Sequence, residues 1–257
     1  MVVPVSEAIP ILMYHQIDRP PARGAPFRSL VVHPRVFARH MRLLGALGYR
    51  GLAMRDLMPY LRGELHGKVF GLTFDDGFRN VHRNVIPVLH RLGFTATCYF
   101  VAGHPGGTNF WDAKAGVASA PLMSREEIRE WAAAGHEVGS HTLDHVDLAR
   151  VAPDHAREQI CRSRRILEDL VQQPVEAFCY PYGHYGAEHV AMVREAGYAS
   201  ATTTQRGRAR AGDDLFQLAR VPVVRSTHFV GLVQKLLTRY EDKRGLRQVR
   251  PVPLHEG

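Results

Sequence analysis

The chain is poor in cysteine, has no long apolar run and lacks a glycine-rich nucleotide fingerprint, and each shortage removes a class of protein. Its three cysteines, Cys98, Cys161 and Cys179, stand far apart with no C-x-x-C pair, which excludes a disulfide framework and a thiolate zinc site. No apolar stretch approaches the roughly 18 residues that a membrane-spanning helix needs. The opening residues, MVVPVSEAIPILMYH, have neither a basic start nor a secretory apolar segment, so a reducing, cytoplasmic location is expected. No G-x-G-x-x-G follows an apolar run, which argues against a dinucleotide-binding sheet.

What is present suits one enclosed domain. At 257 residues and 45% hydrophobic content, the chain can bury one core, and no compositional break sets off a second domain. Residues 1–257 are therefore expected to form a single domain, with its core over about 9–240 and a mobile basic tail over 241–257. The net charge of +8 favours anionic surroundings. No aromatic-interleaved basic stripe accompanies it, so no nucleic-acid partner is expected.

A loose repeat organises the sequence: a helical stretch ends at glycine, an aromatic or histidine follows, and a β-rich run comes next. The junctions are Gly48-Tyr49, Gly93-Phe94, Gly135-His136 and Gly197-Tyr198, each reading as a helix-terminating glycine that feeds a strand. Before the first of them, Phe37, Met41, Leu44 and Leu47 recur at helical spacing, with Pro34 placed where a first helical turn tolerates it. Predicted strands cover residues 9–14, 69–74, 95–101, 137–140, 177–180, 199–203 and 221–224. Seven strand–helix units in one domain predict a parallel α/β fold closed, or nearly closed, into a barrel. Residues 103–108, 206–214 and the end beyond Tyr240 are predicted loops or mobile ends.

In such a barrel the reactive groups gather past the C-terminal ends of the strands. There the sequence concentrates His15 after IPILMY, Asp75 and Asp76 after VFGLTF, His141 and His145 after EVGS, and the Tyr182 turn after AFCYP. Neighbouring carboxylates point to different sides of the chain, so one can hold a cation while the other faces a substrate. Taken alone, the same pair reads equally well as an Asp-rich helix cap. The two imidazoles of His141-Thr142-Leu143-Asp144-His145, with three residues between them, can reach one cation. Two nitrogens and a carboxylate leave positions open for water and substrate, as at a catalytic metal.

Three of these segments together resemble the polysaccharide deacetylase family (carbohydrate esterase family 4): TFDDG at 73–77, HTLDH at 141–145 and CYPYG at 179–183. The resemblance runs from about Ile11 to Val224. It implies a distorted (β/α)7 barrel, a single divalent metal held by Asp76, His141 and His145, Asp75 as general base, and the Tyr182 backbone N–H as oxyanion donor. Zinc is the first choice for that ligand set, with cobalt, nickel or iron also compatible. Two departures stand out. Cys179 occupies the place of the arginine that usually orients the base, for which Arg220 is the candidate replacement. The usual late leucine-x-histidine motif is missing, and Leu12-Met13-Tyr14-His15 resembles the first strand of the poly-N-acetylglucosamine deacetylase branch, which implies His15 as the general acid. The alternative for His15 is a strand-end histidine that only bonds a loop.

Trp111, Tyr180 and Tyr185 are candidate sugar-stacking residues, with a core position as the alternative for each. The expected partner is an acetylated carbohydrate and the expected reaction removal of its N-acetyl group. An O-acetyl esterase or a non-sugar amidase would use the same groups. From a different class, an inactive carbohydrate-binding barrel would not need a base beside a metal triad.

Overall fold

A computed structural model describes residues 8–246; the expectations placed on 1–7 and 247–257 lie outside the described residues. In chain order come β1 (Ile11–Tyr14), the short pair β2 (Gln16–Ile17) and β3 (Val31–Val32), α1 (Pro34–Ala46), β4 (Arg50–Leu52), α2 (Met54–Leu61) and β5 (Val69–Phe74). Then follow α3 (Arg79–Leu92), β6 (Thr97–Phe100), α4 (Arg125–Ala133), β7 (Glu137–Ser140), α5 (Pro153–Val171) and β8 (Ala177–Cys179). The chain continues through α6 (Ala187–Glu195), β9 (Ser200–Arg206), β10 (Leu218–Pro222), α7 (Phe229–Leu237) and α8 (Tyr240–Gly245).

Seven parallel strands close the barrel in the order β1-β10-β9-β8-β7-β6-β5, and β1 pairs with β5 to seal it. The expected (β/α)7 barrel is thus the fold. An eighth strand, β4, adds to the first half of β5, with Gly51 opposite Phe70. The Gly48-Tyr49 junction points to a strand here, but no predicted range covers Arg-Gly-Leu, because so short a run carries no period of its own. Boundaries moved elsewhere too. β9 runs on to Arg206 because it stays paired with β10 across a register shift between Leu218 and Arg220. β10 itself begins at Leu218, so Arg220 lies inside a strand.

The helices form where local chemistry permits. Pro34 opens α1, the His33 side chain accepts from the Arg35 N–H, and Phe37, His40, Met41 and Leu44 make the buried face. Ser124 and Glu127 form a capping box on α4. Gly93 ends α3 at a left-handed φ of 63°, and Gly48, Gly135 and Gly197 repeat the device. At the floor of the barrel, α2 packs Met54, Leu57 and Leu61 against Ile11, Tyr99 and Leu218. The N-terminus of α2 meets the buried Glu137 carboxylate, which accepts from the Arg55 N–H at 3.0 Å and the Thr97 hydroxyl at 2.5 Å, an anion set on a helix dipole.

The predicted mobile tail begins instead as α8. Glu241 is fully buried and accepts from Arg206 at 2.7 and 3.0 Å, with Lys235 as a further partner. Asp242 accepts from Arg208 at 2.8 Å and from Arg210 at 2.9 Å. The arginines of the 206–210 segment are therefore engaged by the acids of α8. Among the described residues no helix is long and apolar enough to cross a membrane.

His40 sits in the wall between α1 and the turn before α7. The Tyr14 hydroxyl donates to its Nδ1 and its Nε2–H donates to the Thr227 carbonyl, each at 3.1 Å. Burial, outweighing the Thr227 bond, pushes this imidazole from 6.5 down to about 4, and burial with the charge of Arg55 does the same to His136. Between those values the unfolded chain binds more protons than the folded one. Stability is thus complete above pH 6.5 and falls as pH drops toward 4, by up to about 3 kcal/mol per imidazole. Thermal melts should show a smaller loss of Tm between pH 7 and 4.5 in His40→Gln than in the parent; an equal loss would clear His40 of this role.

Candidate active site

The backbone of the site is bent into place by residues held at positive φ. Among the described residues, six that are not glycine adopt it, and Asp76 (74°), Thr142 (65°), His145 (57°) and Tyr182 (59°) are four of them. Such conformations cost of order 1–3 kcal/mol each and persist where surrounding contacts over-determine them. The Asp75 N–H continues the β1–β5 pairing by donating to the Tyr14 carbonyl at 3.0 Å. Asp76 and Gly77 then reverse the chain, which sends the two carboxylates in different directions. A side chain at Gly77 would meet the Phe100 ring at 2.7 Å.

Asp75 faces Arg220. The guanidinium of this wholly buried arginine donates from Nη1 and Nη2 to the two carboxylate oxygens at 2.7 and 2.8 Å. Its remaining donors reach the Thr203 carbonyl at 2.8 Å, the Thr73 hydroxyl at 3.1 Å and Cys179 Sγ at 3.2 Å. Arg220 thus stands beside Cys179 and reaches the same carboxylate from another strand. Burial by itself would lift the Asp75 carboxyl, but the charge and hydrogen bonds of Arg220 hold it below the ordinary value of 3.8. His15, on the other side, brings Nε2 to 3.9 Å from Asp75 Oδ2.

Asp76 faces the two other histidines. Its Oδ1 lies 3.5 Å from His141 Nε2 and 3.3 Å from His145 Nε2, and the three donor groups, all buried, lie within 4.8 Å of one another. His141 donates from Nδ1 to the Cys179 carbonyl at 2.8 Å, which fixes the tautomer and turns the Nε2 lone pair toward Asp76. Burial opposes an ionised Asp76, yet bonds to both histidines keep its carboxyl well below the usual range. A buried carboxylate converging with two imidazole nitrogens fits a divalent cation, because a cation satisfies all three donors at once.

Gln159 of α5 holds the HTLDH turn in shape. Its Oε1 accepts from the Leu143 and Asp144 N–H groups at 3.0 and 2.9 Å, and its Nε2–H donates to Asp144 Oδ2 at 2.6 Å. Sequence reasoning missed it, since a lone glutamine in a helix carries no signal. The Cys179 carbonyl was missed for the same reason: the backbone does the orienting, whatever the side chain.

The aromatic candidates divide. Trp111 stacks on His145, ring centroids 4.5 Å apart at 12°, and Tyr182 meets the same imidazole edge-on at 4.7 Å. Tyr182 is 43% exposed, and with Tyr185 it lines a groove of about 620 Å³ that also includes Thr204, Gln205 and Gln217. Tyr180 is corrected to a core residue: it has no exposed surface, and its hydroxyl donates to the Phe216 carbonyl at 3.1 Å. A second, smaller cavity of about 170 Å³ holds His15, Asp76 and Asp112 together, under the Arg19–Leu30 segment.

Comparison with known proteins agrees with this architecture. The profile of the polysaccharide deacetylase family matches residues 62–201. YxkH, a candidate polysaccharide deacetylase of Bacillus subtilis (strain 168), is 28% identical over 217 residues, spanning 84% of this chain and 71% of its own. The deacetylase PplD of Streptococcus pyogenes, solved in complex with acetate, superposes with a TM-score of 0.78 at 25% identity, covering 90% of this chain and 99% of PplD. A poly-beta-1,6-N-acetyl-D-glucosamine N-deacetylase of Staphylococcus aureus is 20% identical over 171 residues, 63% of this chain and 57% of that protein. With more than half its length matched to the family and its strand ends carrying that chemistry, the chain belongs to the polysaccharide deacetylases.

Proposed function

We propose that the protein hydrolyses the acetamide of an N-acetylglucosamine-type unit in an oligosaccharide, polysaccharide or glycoconjugate, with one divalent metal ion, zinc first among the compatible ions. The observation that carries this reading is the pairing of two buried centres: Asp75 clamped by Arg220, and Asp76 converging with His141 and His145. The names of two relatives support it, one as an N-acetylglucosamine polymer deacetylase and the other as a deacetylase solved with acetate.

Asp76, His141 and His145 would hold the ion, which when bound supplies Lewis acidity toward the acetyl carbonyl and lowers the pKa of water. Asp75 stays ionised beside Arg220 and accepts the proton of the attacking water. The Tyr182 N–H, presented by the strained turn after β8, donates to the developing oxyanion. His15 delivers a proton to the departing nitrogen, so that amide and water become acetate and amine. Trp111 keeps the His145 ring from turning, while Tyr182 and Tyr185 offer faces to sugar rings along the groove.

Acetate release from β-1,4- and β-1,6-linked N-acetylglucosamine oligomers, beside O-acetylated xylan, tests the assignment. Release from the ester alone would make the protein an esterase, and none from any substrate by the metal-loaded chain would favour a binding barrel. His15→Ala is expected to lower kcat by roughly 10² to 10⁴-fold with metal content unchanged. Wild-type turnover in that variant would remove His15 as the acid.

A further inference from the structure

Two long stretches of the chain contain no acidic residue: 19–55, which carries eight arginines, and 215–240, which carries Arg220, Arg225, Lys235 and Arg239. The fold brings them together on one flank of the barrel. The Arg225 N–H donates to the Ser29 carbonyl at 2.8 Å, and the His40–Thr227 bond ties α1 to the turn that starts α7. Between the two helices runs a groove lined by Val36, Leu43 and Phe229 together with Arg39, Arg42 and His228. Phe229 and Val230, the first residues of α7, are 61% and 73% exposed. Arg35, Arg39 and Arg42 are exposed as well, and their spacing of four and three residues sets them in one stripe along α1.

We propose that this flank docks on an anionic lipid surface, with Phe229 and Val230 entering the boundary between headgroups and acyl chains and the α1 arginines meeting the headgroup phosphates. Cations alone would suit any polyanion. The protruding apolar pair distinguishes a bilayer, since side chains that stay exposed in water gain by entering lipid and gain nothing from a hydrophilic polymer. No carboxylate within either stretch opposes an anionic surface. Of the acids that flank the second stretch, Asp214 pairs with Arg194, while Glu241 and Asp242 are occupied by Lys235 and the arginines of the 206–210 segment; beside the first stretch, Asp56 accepts from the Thr95 hydroxyl and Asp18 from the Arg19 N–H. In an α/β barrel a helix begins at the end where the preceding strand finishes, so the first turn of α7 lies toward the rim that bears Asp75 and Asp76. Docking by this flank holds the catalytic mouth beside the surface.

The test is co-sedimentation of the full chain with phosphatidylcholine vesicles prepared with and without phosphatidylglycerol. The chain should bind the phosphatidylglycerol vesicles and release from them as salt rises. Arg39→Gln/Arg42→Gln should weaken binding about 25-fold, at about fivefold per arginine, and Phe229→Ser/Val230→Ser should weaken it at least tenfold. All four side chains reach solvent, and a thermal melt of each variant confirms its fold. Failure of the parent to bind phosphatidylglycerol vesicles overturns the proposal, as does undiminished binding by both variants. Binding that is lost with the arginines but unchanged in Phe229→Ser/Val230→Ser also overturns it, because that result describes a polyanion site and not lipid insertion.

Discussion

His141→Ala is expected to reduce bound metal from one ion per chain to none and to lower kcat/KM on any acetylated sugar by on the order of 10³-fold or more. The expectation follows from how little redundancy the site contains. Among the described residues, Asp76, His141 and His145 form the one cluster of three side chains placed to hold a metal ion, and removing an imidazole leaves a carboxylate and a single nitrogen. The loss is geometric as well as chemical. Of the three, His141 is the one aimed from outside the cluster, by the Cys179 carbonyl at 2.8 Å, so the alanine also ends the link between the end of β7 and the end of β8. Elemental analysis after gel filtration checks the first half and acetate release the second. His184→Ala is the control, because His184 bonds Asp147 at 2.8 Å outside the cluster and should leave metal content unchanged. Equal metal in His141→Ala and the parent would sink the assignment of the site.

Arg220→Ala should be the most destabilising single change in the catalytic region. It leaves the Asp75 carboxylate buried without its partner, a situation that costs about 3–5 kcal/mol and should lower Tm by roughly 10 °C in a chain of this size. The same change alters the chemistry in a predictable direction. With the guanidinium present, Asp75 lies below 3.8; without it, burial prevails and the carboxyl titrates higher. The acid limb of the kcat/KM profile therefore moves to higher pH, and activity disappears at pH values where the parent still works. For stability the sign is the usual one for a depressed carboxyl. The contribution of the pair is fully present above the unfolded pKa near 3.8 and is lost as pH falls through the lower folded value. Arg220→Lys keeps the charge but not the two parallel bonds, so it should recover part of the stability and leave the acid limb between the other two. Full activity with an unmoved acid limb in Arg220→Ala would end the positioning role of Arg220.

The sequence was most legible where local physics decides. A buried parallel strand reads as a near-continuous apolar run, so VFGLTF matched β5 residue for residue, and EVGS, set off by the helix-ending Gly135, matched β7. Glycines at helix ends announced themselves through the strand that follows each one. It was least legible where a partner lies far along the chain. α8 is six residues long, too short to hold as an isolated helix, and it exists because Glu241 and Asp242 meet arginines more than thirty positions earlier. Tyr180 and Tyr185, five residues apart, had equal claims to the sugar. The tight turn after Pro181 leaves the first in the core and sets the second in the groove wall, a distinction no residue preference encodes.

By itself, then, the sequence determined the barrel class and the chemical stock of its rim, because strand period, helix caps and the carboxylates and imidazoles at strand ends are local properties. Only the tertiary structure decided which of those groups act on one another. Asp75 and Arg220 stand 145 positions apart, His141 is aimed by a carbonyl 38 positions away, and Gln159 shapes the histidine turn from a different helix. In this closed parallel barrel most neighbouring strands are joined through intervening helices, and the seam between β1 and its partners is made by strands far apart in the chain. The distances that set a carboxyl's charge or an imidazole's direction therefore come into being only when the last strand closes on the first.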